Sequence, residues 1–161
     1  MAAVDKPGGQ EAGENNPAPS LDNCAHASSV RLVSLPERLD DRGSLIVIEG
    51  GSEIQFAIKR AFFFYDVPSG ATRGGHAHRT LQEFFLALSG SFSIMTDDGV
   101  NRNRHLLDNP SLGLHVGPMN WVELRDFSVG SVCLVLASTQ YDETDYYREY
   151  GEFLRAKANA S

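Results

Sequence analysis

Short apolar stretches and turn signals alternate along the chain from Val30 onward, at intervals of about ten residues. Such stretches predict β-strands, and their regular spacing is typical of an all-β sandwich or barrel. Turn signals such as Asp98-Gly99 and Gly117-Pro118 separate them. Strands are predicted at 30–34, 44–49, 59–66, 74–78, 83–88, 91–96, 101–107, 112–116, 121–125 and 131–138. We therefore predict an antiparallel double-sheet roll.

The two ends of the chain differ from this central part. Residues 1–28 contain prolines and glycines but no aromatic residue and no apolar periodicity, which predicts a disordered tail. Residues 142–158 carry Asp142 or Thr144 as a candidate N-cap, and apolar residues follow at helical spacing: Tyr146, Tyr150, Phe153 and Leu154. We expect a short C-terminal helix packed on the roll, and one domain over residues 29–161.

Composition limits the classes of partner. The chain carries 14 Lys and Arg against 21 Asp and Glu, so the net charge is -7, whereas nucleic-acid and anionic-membrane binding favour a basic face. No apolar run approaches the roughly 20 residues of a membrane helix. The N-terminus lacks the pattern of a secretory signal, and two cysteines are too few for a disulfide scaffold. We expect a cytoplasmic protein with no nucleic-acid or membrane partner.

The segment that indicates chemistry runs from Gly70 to Gly90. His76 and His78 are two residues apart on a predicted strand, so both imidazoles lie on one face, and Glu83 follows just beyond the next turn. This spacing resembles the first sequence motif of the cupin superfamily. The resemblance implies a cupin jelly roll, also called a double-stranded β-helix.

Metal-dependent cupins complete this motif with a further histidine from a second motif, and such ligands suit iron, manganese, nickel or zinc. The stretch 116–124 resembles that second motif, but Val122 occupies the position expected to hold the histidine. A three-ligand site of His76, His78 and Glu83 stays open as an alternative. Our prediction is that the protein binds no metal.

A more extensive resemblance covers about residues 30–155, and the sequence is similar throughout this range to the sugar 3,4-ketoisomerases. Those enzymes convert dTDP-4-keto-6-deoxyglucose into its 3-keto isomer. The resemblance implies a homodimeric cupin without metal or cofactor, acting on the way to 3-amino-3,6-dideoxyhexoses for bacterial surface glycans or antibiotics. The blocks that carry it are RGSL at 42–45, IKR at 58–60, RGGHAH at 73–78, LSGS at 88–91, DDG at 97–99, VGP at 116–118, VLAS at 135–138 and YDETDY at 141–146.

Two histidines suit this reaction. A ketone moves from C4 to C3 when the proton on C3 is removed, an enediol or enediolate forms, and protons return to C4 and between the oxygens. Histidine exchanges protons near neutral pH. We predict that His76 acts on carbon and His78 carries the proton between the oxygens, with the reverse order left open. Glu83 is either a third acid/base group or orients a histidine.

Arginines are the candidates for the substrate's diphosphate, because a guanidinium binds phosphate oxygens in a bidentate manner. We expect Arg73, Arg60 and Arg42 in this role, with stabilisation of the enediolate as the alternative for Arg73. Arg73 lies three residues before His76 and reaches the same face only if the intervening glycines bend the strand.

Two further residues are candidates for substrate binding. Related sequences commonly have tyrosines where this chain has Phe62 and Phe63, so Tyr65 is the candidate for a replacement hydroxyl. His115 either lines the pocket or is an ordinary half-buried histidine. We interpret the block at 141–146 as structural, with closure of the pocket as an alternative.

Three other functions stay open. A sugar 3,5-epimerase would share the substrate and the roll. A cupin oxygenase would use a metal on the His-His-Glu set, and a non-catalytic cupin would use the same histidines only to bind sugar hydroxyls.

Overall fold

A computed structural model describes residues 29–160. The predicted tail over residues 1–28 lies outside the described residues. The strands are β1 Val30–Ser34, β2 Glu37–Asp40, β3 Gly43–Ile46, β4 Arg60–Tyr65, β5 Arg73–His78, β6 Glu83–Ser89, β7 Phe92–Asp97, β8 Arg102–Leu107, β9 Leu112–Val116, β10 Trp121–Arg125, β11 Val132–Ala137 and β12 Tyr146–Tyr147. One 3₁₀ turn, Glu143–Asp145, precedes β12, and the helix α1 covers Tyr150–Ala160.

The strands form two five-stranded antiparallel sheets and one hairpin. The first sheet has the order β1-β9-β6-β11-β4, the second has the order β12-β5-β10-β7-β8, and β2 pairs with β3. Strands that are neighbours in a sheet are mostly distant along the chain, as in a jelly roll. The prediction of an all-β antiparallel roll is confirmed.

The main core lies between the two sheets. Side chains alternate along each strand, so every second residue points inward. The first sheet contributes Phe85 from β6 and Val135 from β11, and the second contributes Ile94 from β7 and Leu124 from β10. These side chains are buried, and they make the two sheets one folded unit.

Each sheet also has a covered outer face. The segment between β1 and β4 places Ile54 and Phe56 over Phe84 and Leu86 of the first sheet. The helix α1 places Phe153 against Trp121 and Ala77 on the second sheet. Among residues 29–160, no helix is long and apolar enough to cross a membrane.

The C-terminal segment differs from the prediction. The helix begins at Tyr150, and Asp142 caps the 3₁₀ turn by accepting a hydrogen bond from the Thr144 amide. Tyr146, which we expected in the helix, lies in β12, because that strand pairs with β5 in the register Tyr146↔His78. Pairing with a distant strand overrides the local helical spacing.

Candidate active site

A cavity of about 220 Å³ opens at one end of the roll, between the two sheets. Aromatic and aliphatic side chains form most of its wall, and a few polar groups converge on it, as in many small-molecule sites. Its lining residues are Phe62, Phe64, Gly74, His76, Glu83, Phe85, Val122, Leu124, Tyr146 and Arg148.

Strand β5 supplies the central part of this wall, and a bulge decides which side chains it presents. His76 pairs with Val122 and Gly74 pairs with Glu123, so Gly75 is the extra residue. Both glycines adopt positive φ values, 78° for Gly74 and 76° for Gly75, a region that favours glycine.

The bulge also reverses the side on which Arg73 lies. Without it, a residue three positions before His76 would point to the opposite face. Arg73 instead pairs with Leu124, which lines the cavity, and its guanidinium carbon lies 5.7 Å from the ring centroid of Phe64. The two glycines therefore bring Arg73 to the side of His76.

His76 and His78 lie side by side, as their spacing predicts. Their ring centroids are 5.0 Å apart, and the ring of Tyr146 lies 5.0 Å from His76 and 4.2 Å from His78. His76 lines the cavity, whereas His78 is buried just behind it. The pairing of β12 with β5 places Tyr146 against both imidazoles.

His78 lies between two carboxyl groups. Its Nδ1 is 3.1 Å from Oδ2 of Asp145, and its Nε2 is 4.0 Å from Oε1 of Glu83. The Nε2 atom is buried and has no hydrogen-bond partner among the described residues. Its separation of 4.0 Å from Glu83, which lines the cavity, places Nε2 on the cavity side of the ring.

Burial shifts the pKa values of these groups in the directions that favour their neutral forms. Desolvation lowers the pKa of His76, and desolvation together with the neighbouring His76 lowers the pKa of His78 to about 4, against the opposing effect of Asp145. Desolvation raises the pKa of Glu83 to about 7, although Arg60 acts in the other direction. At neutral pH the site thus contains two neutral imidazoles and a carboxyl group that can hold a proton.

Arg148 is at the cavity, and Arg60 is close enough to act on the charge of Glu83 in its wall. Arg148 lines the cavity, lies 4.4 Å from the ring centroid of Tyr146, and forms an ion pair with Glu143. Arg60 is on the inward face of β4, with its guanidinium carbon 5.1 Å from the ring centroid of Phe62. Together with Arg73 they place positive charge around a site in an otherwise acidic chain.

Two candidates from the sequence lie away from the cavity. Arg42 is in the β2–β3 hairpin, where it is exposed and forms an ion pair with Asp40 at 2.5 Å. Tyr65 is on β4, but the alternation of that strand places it with Phe63 on the outer face, and each is 61% exposed. Phe62 and Phe64 take the inward positions.

His115, the remaining candidate for substrate binding, also lies away from the cavity. It is buried on β9 opposite Phe84, on the outer face of the first sheet, and its ring lies near Phe56. Its Nε2 is 3.1 Å from Oε1 of Gln82. Glu83 points to the other face of the same sheet, so the sheet separates His115 from the cavity.

Sequence reasoning missed three residues of the site: Asp145, Tyr146 and Arg148. Asp145 and Tyr146 belong to the block at 141–146 that we interpreted as structural, and Arg148 lies in the stretch 142–158 that we expected to be helical. The available signal was that the 141–146 block and the 73–78 block both carry the resemblance to the sugar 3,4-ketoisomerases. Their contact depends on the pairing of β5 with β12, which no local pattern in the sequence reveals.

The polar side chains at the cavity do not form a metal-binding cluster among the described residues. Among residues 29–160, no group of three or more His, Cys, Asp or Glu side chains is arranged to hold a metal ion. His78 directs Nδ1 to Asp145, and its Nε2 is 4.0 Å from Glu83.

The family follows from comparison with known proteins. The family model described as "FdtA: WxcM-like, C-terminal" matches residues 28–158, which is most of the chain. The chain belongs to this family. The family relationship predicted from the sequence blocks is thereby confirmed.

Several proteins with named activities are similar to this chain over almost their whole length. A protein of Aneurinibacillus thermoaerophilus named TDP-4-oxo-6-deoxy-alpha-D-glucose-3,4-oxoisomerase is 42% identical over 131 residues, covering 80% of this chain and 94% of that protein. The structure of QdtA, a sugar 3,4-ketoisomerase from Thermoanaerobacterium thermosaccharolyticum in complex with TDP, matches with a TM-score of 0.81 and 37% identity, over 84% of this chain and 98% of that chain. A 3,4-ketoisomerase from Helicobacter canadensis matches with a TM-score of 0.79 and 40% identity, over 83% of this chain and 99% of that chain. The cupin jelly roll predicted for this chain is confirmed.

Proposed function

We propose that the protein is a 3,4-ketoisomerase of a nucleotide-linked sugar, and that residues 29–161 are its catalytic domain. Its substrate is TDP-4-keto-6-deoxy-D-glucose and its product is the 3-keto-6-deoxyhexose, a precursor of TDP-linked 3-amino-3,6-dideoxyhexoses. The observation that carries the proposal is the pair His76 and His78, side by side at the cavity with lowered pKa values. Neutral imidazoles are what an isomerisation by proton transfer requires.

The reaction needs proton transfers only, and it balances within the substrate. His76, which lines the cavity, takes the proton from C3 as an enediolate forms across C3 and C4. A proton then returns to C4. His78 carries a proton from the C3 oxygen to the C4 oxygen, so that a hydroxyl becomes the ketone and the ketone becomes a hydroxyl.

Glu83 supports this exchange from the cavity wall, on the Nε2 side of His78. Glu83 is 5% exposed, and burial raises the pKa of its carboxyl group to about 7, so the group can hold or release a proton at neutral pH. We assign it to the proton relay at Nε2 of His78, 4.0 Å away. A charged carboxylate at this position would also favour the imidazolium that forms transiently.

Positive charge at the cavity serves the diphosphate of the substrate. Arg73 and Arg60 lie on the inward faces of β5 and β4, and both belong to the set expected from the sequence. Arg148 joins them at the wall. Bidentate hydrogen bonds from guanidinium groups suit phosphate oxygens.

We also propose a homodimer in the cytoplasm. Apolar side chains are exposed on the β2–β3 hairpin, where Leu39 is 78% and Leu45 is 56% exposed, and on the sheet edge β4 at Phe63 and Tyr65. Burial of such surface against a second copy is favourable. Light scattering should give twice the chain mass of 17.6 kDa, and the mass of a single chain would contradict the dimer.

One experiment tests the activity. Proton NMR follows TDP-4-keto-6-deoxyglucose incubated with the protein in D₂O, with and without a chelator. We expect a 3-keto product in both cases, with deuterium at C4 wherever the transferred proton exchanges with solvent. An unchanged sugar would contradict the proposal, and exchange at C3 and C5 alone would indicate an epimerase.

The chelator arm addresses the metal-dependent alternative. Loss of turnover with chelator, restored by one added divalent metal, would replace the proposed mechanism with a metal-dependent one. Binding of the sugar nucleotide without any turnover would indicate a non-catalytic cupin instead.

A further inference from the structure

Asp145 is the polar residue that ties the C-terminal segment to the site. Its Oδ2 atom is 3.1 Å from Nδ1 of His78 and 3.2 Å from the Leu81 amide. Its Oδ1 atom accepts hydrogen bonds from the amide and the hydroxyl of Thr80, each at 2.8 Å. Both oxygens are therefore engaged by His78 and by the β5–β6 turn that follows it.

This geometry fixes the protonation of the imidazole. An ionised carboxylate can only accept hydrogen bonds, so Nδ1 of His78 must carry the proton. In the neutral ring Nε2 then has the free lone pair. That atom lies 4.0 Å from Oε1 of Glu83 at the cavity wall.

We propose that Asp145 is a positioning residue, which holds His78 in the tautomer with a proton on Nδ1 and a lone pair on Nε2 directed to the cavity side. The inference rests on the proposed isomerase activity for its catalytic consequence, but the tautomer itself can be observed without turnover. In the other tautomer Nε2 would carry a proton and could not accept one from a substrate hydroxyl.

The surroundings of His78 leave this role to Asp145. The titratable and charged groups that face it are His76 on its own strand, Glu83 from β6, Tyr146 from β12, Arg60 from β4 and Asp145 itself. Only Asp145 lies at Nδ1 within hydrogen-bond distance among the described residues.

The substitution Asp145→Asn gives a sharp test, because the turn orients the new amide. The two donors from Thr80, each at 2.8 Å, favour the amide oxygen at the Oδ1 position over the single 3.2 Å donor from the Leu81 amide at Oδ2, and the NH₂ group then faces Nδ1 of His78. An NH₂ group can only donate, so His78 should change to the tautomer protonated at Nε2.

Two measurements follow the change. Two-bond ¹H–¹⁵N correlation spectra of ¹⁵N-histidine-labelled protein report which ring nitrogen carries the proton, and the His78 signals are assigned by their absence in His78→Asn. We expect the Nδ1–H form in the wild type and the Nε2–H form in Asp145→Asn. We also expect kcat to fall about 10²-fold or more with KM changed less than about threefold, because a wrong tautomer removes the base rather than the binding site.

Asp142→Asn is the matched control. Asp142 caps the same 3₁₀ turn through Thr144 without contacting His78, so tautomer and kcat should match the wild type. An Nε2–H form of His78 in the wild type would overturn the proposal, even if Asp145→Asn does not fold. So would a folded Asp145→Asn protein that keeps both the Nδ1–H form and the wild-type kcat. If the wild type does not isomerise the sugar, the proposed function fails, and the spectra still decide the role of Asp145 toward His78.

Discussion

Gly74 packs directly against the backbone of Val122: a Cβ atom on Gly74 would lie 2.6 Å from the Val122 carbonyl oxygen. Both residues line the cavity, and the contact joins β5 to β10 at the bulge. The absence of a side chain at Gly74 is therefore a requirement of the site and not only of its own φ angle.

We expect Gly74→Ala to destabilise the protein more than Gly75→Ala. Both positions have positive φ, which costs an alanine about 1 kcal/mol, but only Gly74 would also press its Cβ against a carbonyl group, since nothing lies within 4 Å of a Cβ on Gly75. Urea unfolding measures the two free energies of unfolding. Equal losses of unfolding free energy in the two variants would show that β10 can move away from a Cβ atom at position 74 without an energetic cost.

We expect His76→Asn and His78→Asn each to lower kcat by about 10²–10⁴-fold, the usual contribution of a general acid or base. KM should change much less, because the cavity wall is otherwise kept. Steady-state kinetics on the 4-keto sugar measure both constants. His105→Asn is the control, because His105 bonds Thr96 on β7 and does not line the cavity. A His76 or His78 variant with unchanged kcat would remove that residue from the mechanism.

We expect Glu83→Gln to gain stability relative to the wild type as the pH rises. Burial raises the pKa of Glu83 from 4.5 to about 7, so the folded state favours the protonated form. The stabilising contribution is full below pH 4.5 and is lost as the pH rises through about 7. Glutamine resembles the protonated form at every pH, so the difference in free energy of unfolding should rise by about 3 kcal/mol across this window.

Denaturant unfolding of both proteins at several pH values measures this difference. His78 contributes in the opposite sense, since its pKa is lowered to about 4 and its contribution is lost as the pH falls. Because His78 lies 4.0 Å from Glu83, its contribution differs between the two proteins, and the same comparison in the His78→Asn background removes it. A difference that does not vary with pH would mean that Glu83 titrates as an ordinary carboxyl group.

We expect Arg73→Gln to raise KM for the TDP-linked sugar about tenfold or more with a smaller effect on kcat. A hydrogen bond to a charged group contributes about 1.5–3 kcal/mol, and the bulge directs Arg73 to the cavity side. Added TDP should inhibit the variant more weakly. Arg104→Gln is the control, because Arg104 is exposed and pairs with Asp126. Equal KM values for the two variants would remove Arg73 from the binding of the diphosphate.

Strands with strong apolar alternation were predictable from the sequence. The predicted bounds 30–34, 112–116 and 121–125 match β1, β9 and β10. Strand β2 was missed because all four of its residues are exposed and carry no alternation. Strand β12 was missed because it has only two residues and exists through its pairing with β5.

The site was predictable where it depends on one strand. The period of two places His76 and His78 together, and the structure brings them to 5.0 Å. Tyr65 illustrates the limit of the same rule, since the alternation of β4 directs Phe62 and Phe64 inward and Tyr65 outward. The aromatic run alone does not reveal which set faces the core.

The sequence by itself determined the all-β class, the positions of most strands, the histidine pair and the family, because these follow from local periodicity and from contiguous blocks of residues. The tertiary structure alone decided that Arg73 lies on the same side of β5 as His76, that His115 lies away from the cavity, and that Asp145 bonds His78. Each of these depends on the register between strands that are distant along the chain. A shift of one residue in that register reverses the face of every side chain that follows.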